Sequence, residues 1–359
     1  MGGFRFTYYQ QVGAKLSKLD RVLVCSSFMG RFPLASCCAL VRTHSDHNPI
    51  LINLAAQDFG PSPFKLFNSW LLRDDFEVIV TKACLEFKGF GAPDSYFSNK
   101  LKLIKRAIRN WRAVEFPKES AELKNLKDSR LAINIKIDSG AATSDDLLAR
   151  DQVVRRIDEL DKITLADLKQ KSRVKWLVDG DENSRFFHGF VANRSRRNHI
   201  HGFLVNGVWV SAPTSLKDET AKFFEEKFIE RWPCRPPLRC PNPSRISNSC
   251  RDFLESGISV VEIKNAVWAC GGEKAPGPDG FSFKFLKRFW SLLKDDITAF
   301  VRFFEQSGSF SRGCNSSFIS LIAKVKGPLA LGDFRPISLI SSLYKIFAKI
   351  SCPVKIGDW

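Results

Sequence analysis

The chain has 359 residues, 44% of them apolar and 26% charged, a globular balance that excludes a wholly disordered chain. Lysine and arginine outnumber aspartate and glutamate by 55 to 38, a formal charge of +17, which predicts a polyanionic partner, most simply RNA or DNA. No run of 18 apolar residues escapes interruption by charge, and the start lacks the apolar core of a signal peptide, so a soluble intracellular protein without a membrane partner is expected.

Residues 1–56 read as short strands and turns. Phe4 to Tyr9 alternates, Arg21 to Cys25 is β-rich, and Pro49 to Leu54 is an apolar run, the last two predicting paired strands. Gly60-Pro-Ser-Pro63 marks a domain edge. From about 64 to 199 the pattern turns helical, with Leu101, Ile104, Ile108 and Trp111 on one stripe and Val153, Ile157, Leu160 and Leu168 on another. Asn206-Gly207 stands between two apolar runs and predicts a tight hairpin. Ser215 with Asp218, and Ser259 with Glu262, each predict a capped helix start. Ile258 is placed to staple against Ile263, and Gly271-Gly272 ends that helix. Residues 231–250 hold five prolines and three cysteines and read as a linker.

Ten cysteines show no Cys-x-x-Cys spacing. Cys234, Cys240 and Cys250 cluster without a nearby histidine, one ligand short of a tetrahedral zinc site, so no metal site is expected there. Asp179, Asp181 and Asn183 surround a glycine, but Ser184 and Phe190 stand where a calcium loop needs Gly and Glu. Lys100 to Lys136 holds eleven basic residues against four acids, and Lys169 to His199 eight against three. Arg194, Arg196 and Arg197, near Phe186 and Phe187, are the candidate phosphate contacts, since arginine beside aromatic rings suits unpaired bases.

Three motifs carry chemistry. The first combines Phe6-Thr7-Tyr8, Ser17-Lys-Leu-Asp20-Arg21 and Ser45-Asp46-His47-Asn48-Pro49-Ile50. Alone, the last piece is a polar turn before a strand. With Asp20 brought to the end of a neighbouring strand, the group could orient a water or a phosphate. Pairing of residues 21–25 with 50–54 is expected to bring Asp20 and His47 together. The second motif runs from Trp176 through Gly180-Asp-Glu-Asn-Ser-Arg-Phe-Phe-His188 to Asn193-Arg-Ser-Arg-Arg-Asn-His-Ile200. The third is Lys274-Ala-Pro-Gly-Pro-Asp-Gly280, then Phe318 to Lys326, Asp333-Phe-Arg335-Pro-Ile and Leu343-Tyr-Lys-Ile-Phe-Ala-Lys349. Lys324 and Arg335, aimed from a strand pair at one place, would neutralise a triphosphate.

Taken together these motifs resemble the polyprotein of plant LINE-type (non-LTR) retrotransposons. The resemblance implies an α+β chain in three parts: residues 1–56 as the C-terminal end of an endonuclease/exonuclease/phosphatase-like β-sandwich, 57–257 as a mostly helical basic linker with a β-hairpin, and 258–359 as the fingers of a reverse transcriptase. It implies that His47 stabilises or protonates a scissile phosphate, that Asp20 orients His47, and that Asp46 positions a water. Lys324 and Arg335 would meet an incoming nucleotide. The family's reactions, in the nucleus, use Mg²⁺. The endonuclease glutamate and the palm aspartates are not among the matched motifs: the Asp-Asp pairs are 74–75, 145–146 and 295–296, none preceded by Tyr/Phe-Ala. The matched pattern ends near residue 350 and begins inside the endonuclease domain, so a fragment cut at both ends is expected. Two readings stay open: a catalytically incomplete piece of an RNA-directed DNA polymerase with endonuclease, or a non-enzymatic nucleic-acid-binding remnant.

Overall fold

The structure, a computed structural model, describes residues 2–32, 35–42, 44–54, 58–173, 184–230, 247–311, 313–325 and 327–351. Asp179, Asp181 and Asn183, compared above with a calcium loop, lie outside these residues, as do Cys234, Cys240, Lys326 and the 352–359 tail. Strands β1 (Gly2–Gly3), β2 (Tyr8–Gln10) and β3 (Lys15–Ser17) precede helix α1 (Ser26–Arg31), β4 (Ser36–Ala39) and β5 (Ile50–Asn53). Helices follow: α2 (Asp74–Glu86), α3 (Pro93–Asp138), α4 (Ser144–Ser172) and α5 (Ser184–Asn198). A hairpin of β6 (Phe203–Val205) and β7 (Val208–Val210) leads into α6 (Pro213–Phe228). Then come α7 (Asn248–Glu255), α8 (Val260–Ala269), α9 (Phe283–Arg288), α10 (Trp290–Ser307), β8 (Ser317–Ala323), β9 (Phe334–Ile340) and α11 (Ser342–Ser351).

These elements gather into two compact units that do not follow chain order. One comprises Met1–Ser62, Ala192–Ser247 and Ile319–Ser338; the other comprises Pro63–Val191, Asn248–Phe318 and Leu339–Trp359. The boundary at Ser62 falls within the Gly60-Pro-Ser-Pro63 break. Strands β8 and β9 straddle the division at their outer ends.

In the first unit, β4 lies between β1 and β5, parallel to β1 and antiparallel to β5, with Ser36 opposite Asn53 and Ala39 opposite Ile50. Gly3 has φ +75°, and a Cβ there would meet the Ala39 carbonyl oxygen at 2.1 Å, so only glycine fits. β2 and β3 form a separate hairpin. Between β6 and β7, Asn206 and Gly207 take φ 50° and 81°, the paired positive angles of a type I′ turn. Phe203, Leu216 and Leu331 form a small apolar cluster nearby.

The second unit holds the large core. Along the first half of α3, Phe97, Leu101, Ile104, Ile108 and Trp111 are buried among Phe76 and Val80 of α2, Phe285 of α9, and Ile297 and Phe300 of α10. That is the stripe expected from the 3.6-residue period. Ile157, Leu160 and Leu168 of α4 are likewise buried, while Val153 is half-buried. Lys100 donates to Asp296 of α10 at 2.6 Å, both side chains nearly buried. The α4 start carries a capping box between Thr143 and Asp146, and α8 one between Ser259 and Glu262.

Two local expectations are corrected, and one helix end stands as read. Arg21 to Cys25 forms no strand; its apolar residues Leu23 and Val24 are exposed, so no sheet edge satisfies its backbone. Ser215 does not cap a helix. α6 begins at Pro213, with Ala212 as its N-cap and no side-chain cap bond, because proline suits the first helical turn where its missing N–H costs nothing. α8 ends at Ala269 with Cys270 as its C-cap, directly before Gly271-Gly272, as the sequence predicts.

Candidate nucleic-acid site

Thr7 organises the first motif. It is fully buried. Its N–H donates to the Ser17 carbonyl at 3.0 Å, and its own carbonyl accepts the Asn48 N–H at 2.7 Å. Its hydroxyl oxygen accepts the Asp20 N–H at 3.0 Å. One threonine thus joins the end of the β2–β3 hairpin to the segment before β5. The neighbouring Tyr8 forms an isolated antiparallel bridge with His47, their rings 4.9 Å apart, and the Tyr9 N–H donates to the Asp46 carbonyl at 2.9 Å. Asn48, nearly buried, donates from its side chain to the Leu40 carbonyl at 2.6 Å.

This framework brings Asp20 and His47 together, with His47 Nδ1 2.9 Å from Asp20 Oδ2. The bond from His47, followed by the contact with Thr7, holds the Asp20 carboxyl below its ordinary value. With Nδ1–H turned to the carboxylate, Nε2 is left for an outside group. Both side chains are partly exposed, 43% and 33%, so a phosphate in solvent can reach the pair. The proximity predicted from sequence is observed, but its cause is not the pairing of residues 21–25 with 50–54: β5 pairs with β4, and Thr7 sets Asp20.

Asp46 is exposed, and its carboxylate accepts the Ser45 hydroxyl at 3.3 Å. Its carbonyl accepts from Arg42 at 3.3 Å, whose guanidinium lies 4.8 Å from the centre of the Tyr9 ring. Magnesium prefers six oxygen ligands in octahedral array. Asp20 is engaged by His47, and among the described residues no three His, Cys, Asp or Glu side chains converge on one point. Among the described residues around Asp20 and His47, no such array of oxygen ligands is present.

The other candidates stand elsewhere. Arg194 and Arg197 lie one turn apart on α5, where Arg196 also falls; Arg197 is exposed and Arg194 half-buried. In the first unit Lys324 donates to the Gly332 carbonyl at 2.8 Å, and its N–H donates to the Asp333 carbonyl at 2.7 Å. Lys324 thus braces the turn that leads into β9, on which Arg335 is exposed. The Asp333 carboxylate accepts the Ala330 and Leu329 N–H groups, bonds that lower its pKa.

The Lys274-to-Gly280 loop belongs to the second unit. Asp279 Oδ2 accepts the Ser342 N–H at 2.6 Å and also the Ser342 hydroxyl, capping α11 from a distance. Lys345 donates back to the Ala275 carbonyl at 3.3 Å. A Cβ on Gly277 would meet the Ile340 carbonyl oxygen at 2.0 Å. The loop's Pro-Gly sequence is therefore explained by close approach to the start of α11. Each Asp-Asp pair likewise has a structural member: Asp75 accepts from Trp111 Nε1 at 2.6 Å, Asp146 closes the α4 capping box, and Asp296 holds Lys100.

Thr7, Tyr8 and Asn48 stand within the first motif without an expected role, and Arg42 lies outside it. The available signal was a hydroxyl residue between aromatics in a short β hairpin, and a second polar residue directly after Asp-His.

Beyond geometry, the sequence is similar to a protein of a mobile element. The chain is similar to the transposon TX1 uncharacterized 149 kDa protein of Xenopus laevis, with 24% identity over 353 residues. The match covers 93% of this chain and 26% of that protein, so the chain spans about a quarter of the relative's length. No protein-family profile matches the chain.

Proposed function

We propose that the chain is a retrotransposon-derived, nucleic-acid-binding segment that joins the end of an endonuclease-like domain to the start of a reverse-transcriptase-like one. The carrying observation is the Asp20–His47 pair, 2.9 Å apart in a partly exposed position, on a chain of charge +17. A carboxylate-oriented imidazole beside solvent suits a phosphate oxygen. The similarity to a transposon protein over most of the chain supports the same reading. Lys324 and Arg335 would add weak phosphate contacts, and Arg194, Arg196 and Arg197 would hold a strand without reading its sequence. Its partners in this reading are RNA and DNA, in the nucleus.

Turnover is not part of the proposed role. Phosphoryl transfer by the two-metal route needs carboxylates that place cations beside the attacking and leaving oxygens, and the described residues do not converge in that way. Plasmid nicking and primer extension with the purified chain and Mg²⁺ test this. Neither product is expected. Nicking abolished by His47→Ala, or extension abolished by Arg335→Ala, would overturn the non-catalytic reading.

A further inference from the structure

A cavity of about 150 Å³ opens in the second unit between the first half of α3, the Pro278-Asp279 turn and the start of α11, well above the ~15 Å³ that admits one water. Lys102 and Lys105 enter it from one face of α3, joined by the polar residues Ser98, Ser316 and Ser341. Lys102 is exposed and donates to Asn99, 3.1 Å away on its own helix. Lys105 is half-buried. Its ammonium lies 5.9 Å from the centre of the Phe64 ring, and among the described residues it has no ion pair or hydrogen bond. Burial, and then the neighbouring charge of Arg109, lower its pKa: this is a cation short of compensation.

The other charge at the cavity does not cancel the pair. Asp279 faces Lys105; its Oδ2 is committed to Ser342 at the positive end of α11, while its buried Oδ1 has no hydrogen-bond partner among the described residues, so one carboxylate stands against two ammonium groups. Cys314, on the wall, is kept a neutral thiol, its pKa pushed up to about 11 by burial. The net charge is positive, with the Ser98 and Ser316 hydroxyls beside it; the Ser341 hydroxyl is committed, donating to the Cys314 carbonyl at 3.0 Å. A tetrahedral oxyanion matches that set: its charge compensates Lys105, and serine hydroxyls can donate to its oxygens.

We propose that this cavity is a phosphate subsite, taking one phosphate of a nucleic-acid strand against Lys102 and Lys105. The inference rests on the nucleic-acid-binding reading and assigns one of its contacts. A free nucleotide offers the same chemistry, so the test carries an arm for each source.

The experiment measures binding of the full chain to a fluorescent single-stranded 12-mer RNA across a salt series. Wild type is compared with Lys102→Gln/Lys105→Gln and with Lys124→Gln/Lys127→Gln, an equal charge change farther along α3. Each strand phosphate released should change the log-log salt slope by about 0.7. The cavity variant is expected to lose roughly 0.7 to 1.4 of slope and at least fivefold in affinity, the distal variant clearly less. Lys105→Arg, which keeps the charge, should restore most of the loss and guards against misfolding. Competition by uridine monophosphate at millimolar concentration, lost in the cavity variant, would assign the site to a free nucleotide as well; no competition assigns it to the strand. Equal slopes and affinities for the two double variants overturn the inference while leaving the broader reading intact. Failure of wild-type chain to bind the RNA at all defeats the broader reading instead.

Discussion

The Thr7 hydroxyl accepts the Asp20 N–H at 3.0 Å, and this bond fixes the carboxylate that meets His47. Thr7→Val keeps the shape and removes the acceptor. The bond is only part-buried, and losing such a hydrogen bond costs about 0.5–1.5 kcal/mol. Urea unfolding followed by circular dichroism should show a loss in that range, with an unchanged m-value. A variant as stable as wild type would mean that Asp20 is set by something other than Thr7.

Acid should act on the same pair. The Asp20 carboxyl lies below its ordinary value of 3.8, chiefly through the bond from His47. A carboxyl depressed by folding contributes stability that is complete above its unfolded value and lost as pH falls through its folded one. Stability should therefore decline on acidification below about pH 4, and Asp20→Asn should remove that part of the decline. Superimposable acid limbs for the two proteins would contradict the hydrogen bond.

Lys100 and Asp296 form a nearly buried ion pair, 2.6 Å apart. Removing one partner strands a charge in the core, which typically costs about 3–5 kcal/mol, whereas apolar replacement of both is often close to neutral. Asp296→Ala should lower the denaturation midpoint sharply. Lys100→Met/Asp296→Leu should recover most of it. Equal losses in the single and double variants would show that packing, not the stranded charge, dominates.

Asp279 caps α11 from a loop some sixty residues earlier in the chain. Asp279→Ala should cost about 0.5–2 kcal/mol, and Asp279→Asn much less, since asparagine caps equally well. Hydrogen exchange at the first turn of α11 reports this locally. Protection unchanged in the alanine variant would remove the loop's assigned role.

What could be read from sequence was what is local. The α3 stripe from Leu101 to Trp111, the Ser259–Glu262 cap and the Asn206-Gly207 turn each depend on residues within a few positions of one another. Arg21 to Cys25 misled because a β-rich run becomes a strand only when a neighbour pairs with it, and β4 occupies that place beside β5. Asp20 and His47 were correctly brought together for an incorrect reason, because the linking atom belongs to Thr7, thirteen residues from Asp20 and forty from His47. The grouping of residues 1–62 with 192–247 and 319–338 depends on packing between distant segments, which periodicity does not encode. The Lys274-to-Gly280 motif is legible in the sequence, while the pairing of its Asp279 with Ser342 is not.

The central claim is that this chain holds nucleic acid through phosphates. The direct measurement is the affinity of the full chain for single-stranded RNA and DNA of unrelated sequences, from about 50 to 200 mM salt. Contact with several phosphates predicts a straight log-log decline, at about 0.7 per phosphate for single strands, with similar affinities across sequences and a shallower slope when Arg194, Arg196 and Arg197 are neutralised together. Binding that does not change with salt, or that follows one sequence alone, would contradict it.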